Sequence, residues 1–288
     1  IMAHHYFLPI SEYALPPKQT IVPNPSKIGM VAQYPPPSII HLDSVESTHN
    51  LLKTPEYADL PPYVMVMARE QTAGRGQRGN HWESQPGLNL TFSMVVKPFG
   101  LHPSKQFSLS EATALAVVAL LQSEGIEAKV KWPNDIYVAD NKICGILIDH
   151  AIDSTGIIRS VVSAGLNINQ REFHSDAPNP VSMWQILRRE RSVDDIAANL
   201  LLLLRQFLPL ADTPAGRQLL HQSFMEHLYR NDGAPHPYYD HLLDRPIRAI
   251  LTDVLPDGTL LLSEIPSSTA EPRPPRPYLF KQVSILLQ

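Results

Sequence analysis

Hydrophobic and polar positions change period several times along this chain, and each change marks an element. Leu88, Leu90, Phe92, Met94 and Val96 are apolar at every second position, with Asn89, Thr91 and Ser93 between them; that is the period of a strand. Tyr63 to Ala68 is a short apolar run and reads as another strand. Phe107 to Glu124 reads as a buried helix, with Gly125 placed to end it. Ala128 to Lys131, Ile136 to Val138 and Lys142 to Ile148 predict three strands, the last two joined as a hairpin through Asp140 and Asn141. Ile157 to Ile168 predicts a further strand. Ser192, Asp194 and Asp195 open a helix that runs through Ile196 to Phe207, and Ala215 to Arg230 predicts another, ended by Asn231-Asp232-Gly233.

The two ends of the chain have a different texture. Residues 1 to 38 include Pro9, Pro16, Pro17, Pro23, Pro25 and the run Pro35-Pro36-Pro37, with no sustained period, and read as an extended arm. Ile39 to Leu42 then predicts a short strand, and Asp43 to Thr48 a helix start with Ser47 and Thr48 at the N-cap. After Pro235 to Tyr239 come Arg245 to Asp253, a Pro256-Asp257-Gly258 turn, Thr259 to Glu264, a proline-rich loop and Tyr278 to Leu287. Short strands with tight turns suggest a small β-barrel.

Composition narrows the classes. With 288 residues, 43% of them hydrophobic, the chain has length for one catalytic domain and something smaller. Its formal charge of −4 comes from interspersed acidic and basic residues, so there is no basic footprint for nucleic acid. Cys144 is the single cysteine and lies in the apolar run Ile143 to Ile148, the setting of a small buried residue. Neither a signal peptide nor an apolar run of membrane-spanning length is seen, and a cytoplasmic protein is the expectation. The 12 histidines show no zinc-like partnership, so no metal ligands are assigned.

Arg69 to Trp82 runs R-E-Q-T-A-G-R-G-Q-R-G-N-H-W. Glycines give it a mobile backbone, while Arg75, Gln77, Arg78 and Trp82 bring cationic, amide and aromatic groups suited to an anionic ligand with a flat ring. Gly74, Gly76 and Gly79 have the spacing of the dinucleotide fingerprint, which needs a strand before it and a helix after it. Here the alternating segment follows, so the loop joins two strands and no helix N-terminus is present to receive a pyrophosphate. The P-loop pattern fails because no Lys-Ser or Lys-Thr follows Gly79. Neither the H-R-D nor the D-F-G segment of a protein kinase occurs.

Q-x-x-G-R-G-x-x-G-x-x-W from Gln71 to Trp82, followed by K-W-P-N-D-I-Y-V-A-D-N-K-I-C-G-I-L-I from Lys131 to Ile148, resembles the signature pair of biotin-protein ligases. The resemblance covers Ile39 to the C-terminus. It implies an α+β fold over residues 39–236, a mixed sheet with helices packed on it, class II aminoacyl-tRNA synthetase-like, as in biotin and lipoate ligases. A small SH3-like β-barrel over residues 237–288 would follow. Some ligases of the family carry an N-terminal helix-turn-helix and repress transcription; no pair of amphipathic helices fits residues 1–38, so the resemblance is to those without a DNA-binding domain.

Carried over residue by residue, the resemblance puts Ser47 and Thr48 at the ureido end of biotin, followed by His49 where the family usually has Asn. Gln71 matches a residue facing the biotin ring, and Gly74, Gly76, Gln77 and Gly145 join the same set. Gly165 would let the bicyclic ring pack against its strand. Arg75 matches the arginine that contacts the ligand's carboxyl and phosphate, and Lys142 would neutralise the same anions. Arg78, Trp82, Lys131, Asn134 and Asn167 fall with Arg75 on the ATP or adenylate side, and Asp135 is the candidate base or orienting group. The implied reaction joins biotin to ATP, with Mg²⁺ on the phosphates, and passes it to a lysine of a biotin carboxyl carrier protein or domain. Without the resemblance, Ser47 and Thr48 read as helix caps, Lys142 as a solvated turn lysine and Asp135 as a brace for the hairpin. Two rival functions are a lipoate or octanoate ligase of the same fold, whose R-R-x-G-G-G type segment is missing here, and a biotin- or adenylate-sensing protein that binds without turnover. Edge-strand pairing leaves a homodimer open.

Overall fold

The computed structural model of the chain describes residues 36–76, 81–175, 179–266 and 271–287; of the arm expected over residues 1–38, all up to residue 35 lies outside them. β1 (Ser38–Val45) leads through the short helix α1 (Thr48–Leu51) to β2 (Val64–Gln71) and β3 (Leu90–Val96). The long helix α2 (Phe107–Ser123) is followed by β4 (Lys129–Lys131), β5 (Asp135–Val138), β6 (Asn141–Asp153) and β7 (Gly156–Leu166). These strands form one seven-stranded sheet in the order β1-β2-β3-β7-β6-β5-β4. Only β1 and β2 run parallel, with α1 in their crossover; all other neighbours are antiparallel. A mixed sheet with helices packed on it is the α+β fold expected.

Three more helices, α3 (Met183–Leu187), α4 (Val193–Phe207) and α5 (Pro214–Glu226), lead to five strands: β8 (His236–Asp240), β9 (Arg245–Val254), β10 (Leu260–Glu264), β11 (Arg276–Tyr278) and β12 (Val283–Ile285). These make a second, antiparallel sheet in the order β11-β10-β9-β8-β12. No helix among the described residues is long and apolar enough to cross a membrane.

Both faces of the large sheet are covered, and α2 explains one of them. Leu109, Ala112, Leu115, Ala116, Leu120 and Leu121 are buried on several sides of it, the pattern of a helix with neighbours all round. It packs between the sheet and α4 and α5, and Phe107 meets Phe224 of α5 edge-on at 5.5 Å. Leu90, Phe92, Met94 and Val96 of β3 share that core. On the other face α1 packs over a smaller cluster of Leu42, Leu52, Val66, Ala68, Val95 and Val161. Asn89, Thr91 and Ser93 are consequently buried too, although their alternation with apolar residues suits a half-exposed strand.

Several expectations are corrected. The helix expected to reach Arg230 ends at Glu226, because the following backbone pairs with β4: Val130 N–H donates to His227 O and Tyr229 N–H to Val130 O, both at 2.8 Å. β6 continues to Asp153 rather than ending at Ile148, since its pairing with β7 runs on through the polar Asp149 and His150. The C-terminal segment from Tyr278 divides into β11 and β12 around a turn in which Lys281 has φ 72°. α3 and β8 were not anticipated. α3 is set by a capping box in which the Ser182 hydroxyl accepts the Gln185 N–H and the Gln185 side chain accepts the Ser182 N–H.

The second sheet is joined to the helices by polar contacts as well as by the core. Phe107 N–H, at the start of α2, donates to Pro256 O at 3.2 Å, and Trp132 Nε1 donates to Gly258 O at 2.9 Å. His221 of α5 stands between Glu111 of α2, at 2.9 Å, and Asp253 of β9, at 3.0 Å. The hydrogen bond to Glu111 first, and both carboxylates together, raise the His221 pKa against burial. Burial raises that of Glu111 in turn, against the pull of His221. A histidine whose folded pKa is raised contributes stability that is fully present below its unfolded value, about 6.5, and is lost as pH rises through the folded value; a raised carboxyl pKa acts in the same direction at lower pH. Thermal unfolding followed from about pH 5 to about pH 9 should therefore show the wild type losing its advantage over His221→Gln as the pH rises. A gap between the two melting temperatures that stays constant with pH would contradict this.

Candidate functional site

A cleft of about 780 Å³ lies over the face of the large sheet that α1 does not cover completely. Thr91, Gly165 and Gly145 are cross-strand neighbours on β3, β7 and β6, and Ser93, Ser163 and Leu147 form the next row on the same face. Thr48 and His49 of α1 and Gln71 at the end of β2 wall one end. Lys142, Asp135 and Lys131, from the hairpin and β4, wall the other with Asn134 and Asn167. Ser47, Arg75, Gly76 and Trp82 complete the set. Every predicted site residue among those described lines this cleft except Gly74, which forms the neck of the glycine loop. Gln77 and Arg78 lie outside the described residues.

The neck explains one glycine. Trp82 N–H donates to Gly74 O at 3.0 Å, Arg75 pairs with His81, and a Cβ at Gly74 would come within 2.7 Å of Trp82 O. The loop is thus drawn closed at its base and delivers the indole onto the sheet. There Trp82 lies over Gly145 and Gly165: a Cβ at Gly145 would stand 3.1 Å from Trp82 Cζ3, and one at Gly165 would overlap ring atoms Cε2 and Nε1. The ring N–H is buried without a hydrogen-bond partner. Trp82, expected on the nucleotide side, is therefore placed over the two glycines assigned to the biotin side.

Charge is concentrated at the hairpin end. Lys142 Nζ is 2.7 Å from Asp135 Oδ1 and 5.6 Å from the centre of the Trp82 ring. Lys131 Nζ lies 4.8 Å over the Tyr137 ring; burial first, then the nearby Lys142 and Arg230, lower its pKa against the pull of Asp135. With Arg75, three cations line the cleft against two carboxylates, Asp135 and Glu83. Glu83 is held by the N–H groups of His174 and Ser175 and by Gln170. Asn134 Nδ2 donates to Ile146 O at 2.7 Å and so braces the hairpin. Asn167 Oδ1 is buried with no partner among the described residues. Such a wall suits an anion that also presents a donor to Asn167. Among the described residues no group of His, Cys, Asp and Glu is placed to hold a metal ion.

The α1 end is neutral and dense in hydrogen bonds. Thr48 N–H donates to Gln71 Oε1 at 2.7 Å, and the Thr48 hydroxyl meets that of Ser93 at 2.8 Å. Ser93 meets Ser163 at 2.7 Å, and His49 Nδ1 lies 2.7 Å from Ser163 Oγ. Ser47 caps α1 as expected, its hydroxyl accepting Asn50 N–H at 3.5 Å. Ser93, Ser163 and Asp149 were not singled out in the sequence, although Ser163 stands two residues before Gly165, the spacing of one strand face. Phe280, Val283, Ser284 and Ile285 of the second sheet also reach the rim, a contribution no local pattern announces.

If the glycine floor seats the indole, Gly165→Ala should displace Trp82 without unfolding a strand that tolerates side chains. Tryptophan emission should shift to the red and the near-ultraviolet circular dichroism of the aromatic bands should change. Spectra identical to the wild type would place Trp82 elsewhere.

The model of the Biotin/lipoate A/B protein ligase family matches residues 42–169. The bifunctional ligase/repressor BirA of Bacillus subtilis is 29% identical over 146 residues, which is 50% of this chain and 45% of that protein, so the chain spans less than half the length of this relative. The protein of the same name from Salmonella typhimurium is 27% identical over 252 residues, 85% of this chain and 73% of its own. Among solved structures, biotin protein ligase from Aquifex aeolicus in complex with biotin and ATP superposes with a TM-score of 0.68 at 20% identity, over 87% of this chain and 99% of its own. At that identity the likeness is one of fold.

Proposed function

We propose that the chain, whose residues 42–169 match the model of the biotin/lipoate A/B protein ligase family, is a biotin-protein ligase, which activates biotin with ATP and transfers it to a lysine of a carrier protein. The observation that carries the choice of biotin is the polar end of the cleft at Thr48, Gln71, Ser163 and His49, with Ser93 buried behind them. A cyclic urea brings two N–H donors and a carbonyl acceptor to these groups. The dithiolane ring of a lipoyl group brings neither, and would set an apolar ring against the lone pairs these groups leave over from their bonds to one another.

In the first step a carboxylate oxygen of biotin attacks the α-phosphorus of ATP, pyrophosphate leaves, and biotinyl-5′-AMP remains. Two anions have to meet. Arg75 and Lys142 are the cations on the wall that offset their repulsion, with Lys131 beside them. Mg²⁺ carried by the nucleotide's phosphates would offset part of the same charge. Asp135 is engaged by Lys142 and Glu83 by backbone N–H groups, so the ion would keep mainly phosphate and water ligands, as Mg²⁺ commonly does. In the second step the neutral amine of the carrier lysine attacks the acyl carbon, the bond to AMP breaks, and the new amide nitrogen releases a proton. Asp135 is the carboxylate in the cleft suited to take that proton or to orient the amine.

We read residues 39–236 as the catalytic domain and 237–288 as a small SH3-like domain, supported by the separate sheet of β8 to β12. The carrier would be the biotin carboxyl carrier domain of a biotin-dependent carboxylase. Incubation with ATP, Mg²⁺, biotin and such a carrier domain should add one biotin mass to a single lysine. Lys142→Ala and Arg75→Ala should each slow biotin-dependent exchange of pyrophosphate into ATP by on the order of 10²–10³. Exchange driven by lipoate but not by biotin would overturn the reading.

A further inference from the structure

His49 is built into a continuous relay that reaches from the protein surface to the polar end of the cleft. Asp149 Oδ2 accepts from Lys53 Nζ at 2.5 Å and lies 3.0 Å from His49 Nε2. His49 Nδ1 lies 2.7 Å from Ser163 Oγ, Ser163 meets Ser93 at 2.7 Å, and Ser93 meets Thr48 at 2.8 Å. The Thr48 hydroxyl ends the relay 3.2 Å from Gln71 Oε1. His49, Thr48, Ser93 and Ser163 are all buried.

Counting protons fixes the direction of every bond. An ionised Asp149 can only accept, so a neutral His49 carries its proton on Nε2 and leaves Nδ1 as an acceptor. Ser163 must then give its one proton to His49, Ser93 to Ser163, and Thr48 to Ser93. In this state Thr48 Oγ1 keeps both lone pairs and Gln71 Oε1, which accepts only the Thr48 N–H, keeps one. A second proton on His49 makes Nδ1 a donor and frees the Ser163 proton, which lets the run reverse: Ser163 gives to Ser93, Ser93 to Thr48, and Thr48 to Gln71. Two of those three lone pairs are then occupied.

The charged groups around His49 favour the neutral ring. Burial lowers its pKa and outweighs the attraction of Asp149, while Lys53 and Arg75 act in the same direction as burial. Burial would raise the Asp149 pKa, but the hydrogen bonds from Lys53 and His49 hold it below the usual carboxylate range. Arg159, which packs against the end of α1, gives its guanidinium to the carbonyls of Leu52 and Tyr57, and His150, next to Asp149, bonds Ser160 at 2.8 Å.

We propose that His49 is a positioning residue whose charge state sets the polarity of this hydroxyl relay, so that the cleft accepts the N–H groups of a cyclic urea only while the ring is neutral. The proposal rests on the biotin reading above and adds a proton-linked control of recognition to it. Asparagine at this position would offer an amide that does not titrate.

Biotin binding is followed by isothermal titration calorimetry from about pH 7.5 to about pH 5 in the wild type and in His49→Asn. The wild-type Kd should weaken by up to about tenfold for each pH unit below the His49 pKa, because only the neutral fraction is competent. His49→Asn should retain only the dependence due to biotin's own carboxyl group, which both proteins share. Because linkage is reciprocal, biotin should also lower the pKa of His49 in a nuclear magnetic resonance titration of ring-labelled wild type, whose free ring should carry its proton on Nε2. This second measurement needs no variant. The same pH dependence in both proteins, a ring protonated on Nδ1, or a His49 pKa unmoved by biotin would each overturn the proposal while biotin still binds. No biotin binding by the wild type at any pH would overturn the biotin reading, and the proposal with it.

Discussion

A sheet covered on both faces has room for a ligand only where side chains are missing. In this protein that gap is the row Thr91, Gly165 and Gly145, three cross-strand neighbours of which two have no side chain. α2 and its partners cover the opposite face, and on the near face Leu52, at the end of α1, shares a cluster with Val95 and Val161. At Gly165 and Gly145 the floor is bare backbone, and the Trp82 ring packs against it. Depth, width and the shape of what fits there follow from that one row, since the strands beneath are fixed by antiparallel pairing on either side.

The two ends of this floor solve opposite problems. At the hairpin end Lys142 and Lys131 stand with a single carboxylate, Asp135, while Arg75 lines the same cleft from the glycine loop. Asp135 neutralises one cation, the Tyr137 ring supports another, and the remaining positive potential awaits a negatively charged guest. Charges this close repel one another unless something anionic joins them, so the assembly is more comfortable occupied than empty. At the α1 end no net charge faces the floor directly. Hydroxyls and an amide answer one another in sequence, and their orientation is decided by groups a strand away rather than by the guest itself.

Periodic elements were legible because one physical cause dominated each. The alternation from Leu88 to Val96, the apolar helix from Phe107 and the cap at Ser192 all appear where the pattern puts them. The glycine loop and the K-W-P-N-D hairpin, far apart along the chain, both line one cleft, with Arg75 from the first and Lys142 beside the second. What escaped was determined by distant partners. α5 stops early because β4 claims its carbonyl and N–H groups across about a hundred residues of chain. β8 reads as a proline-rich connector until β9 and β12 pair with it. Ser93 looks like the solvent side of a strand, and Asp149 like the end of one; only the fold shows that both bond side chains of α1.

The start of α2 has a consequence for how the molecule holds together. No side chain caps that helix, and its first backbone N–H is satisfied instead by the carbonyl of Pro256, in the turn between β9 and β10. Gly258 in the same turn sits so close to Phe107 that a Cβ there would come within 2.8 Å of the ring. The central helix of the larger layer is thus finished by the smaller one. A chain cut ahead of His236 would carry a frayed helix at the heart of its core, so the two sheets should melt as one cooperative body rather than as beads on a string.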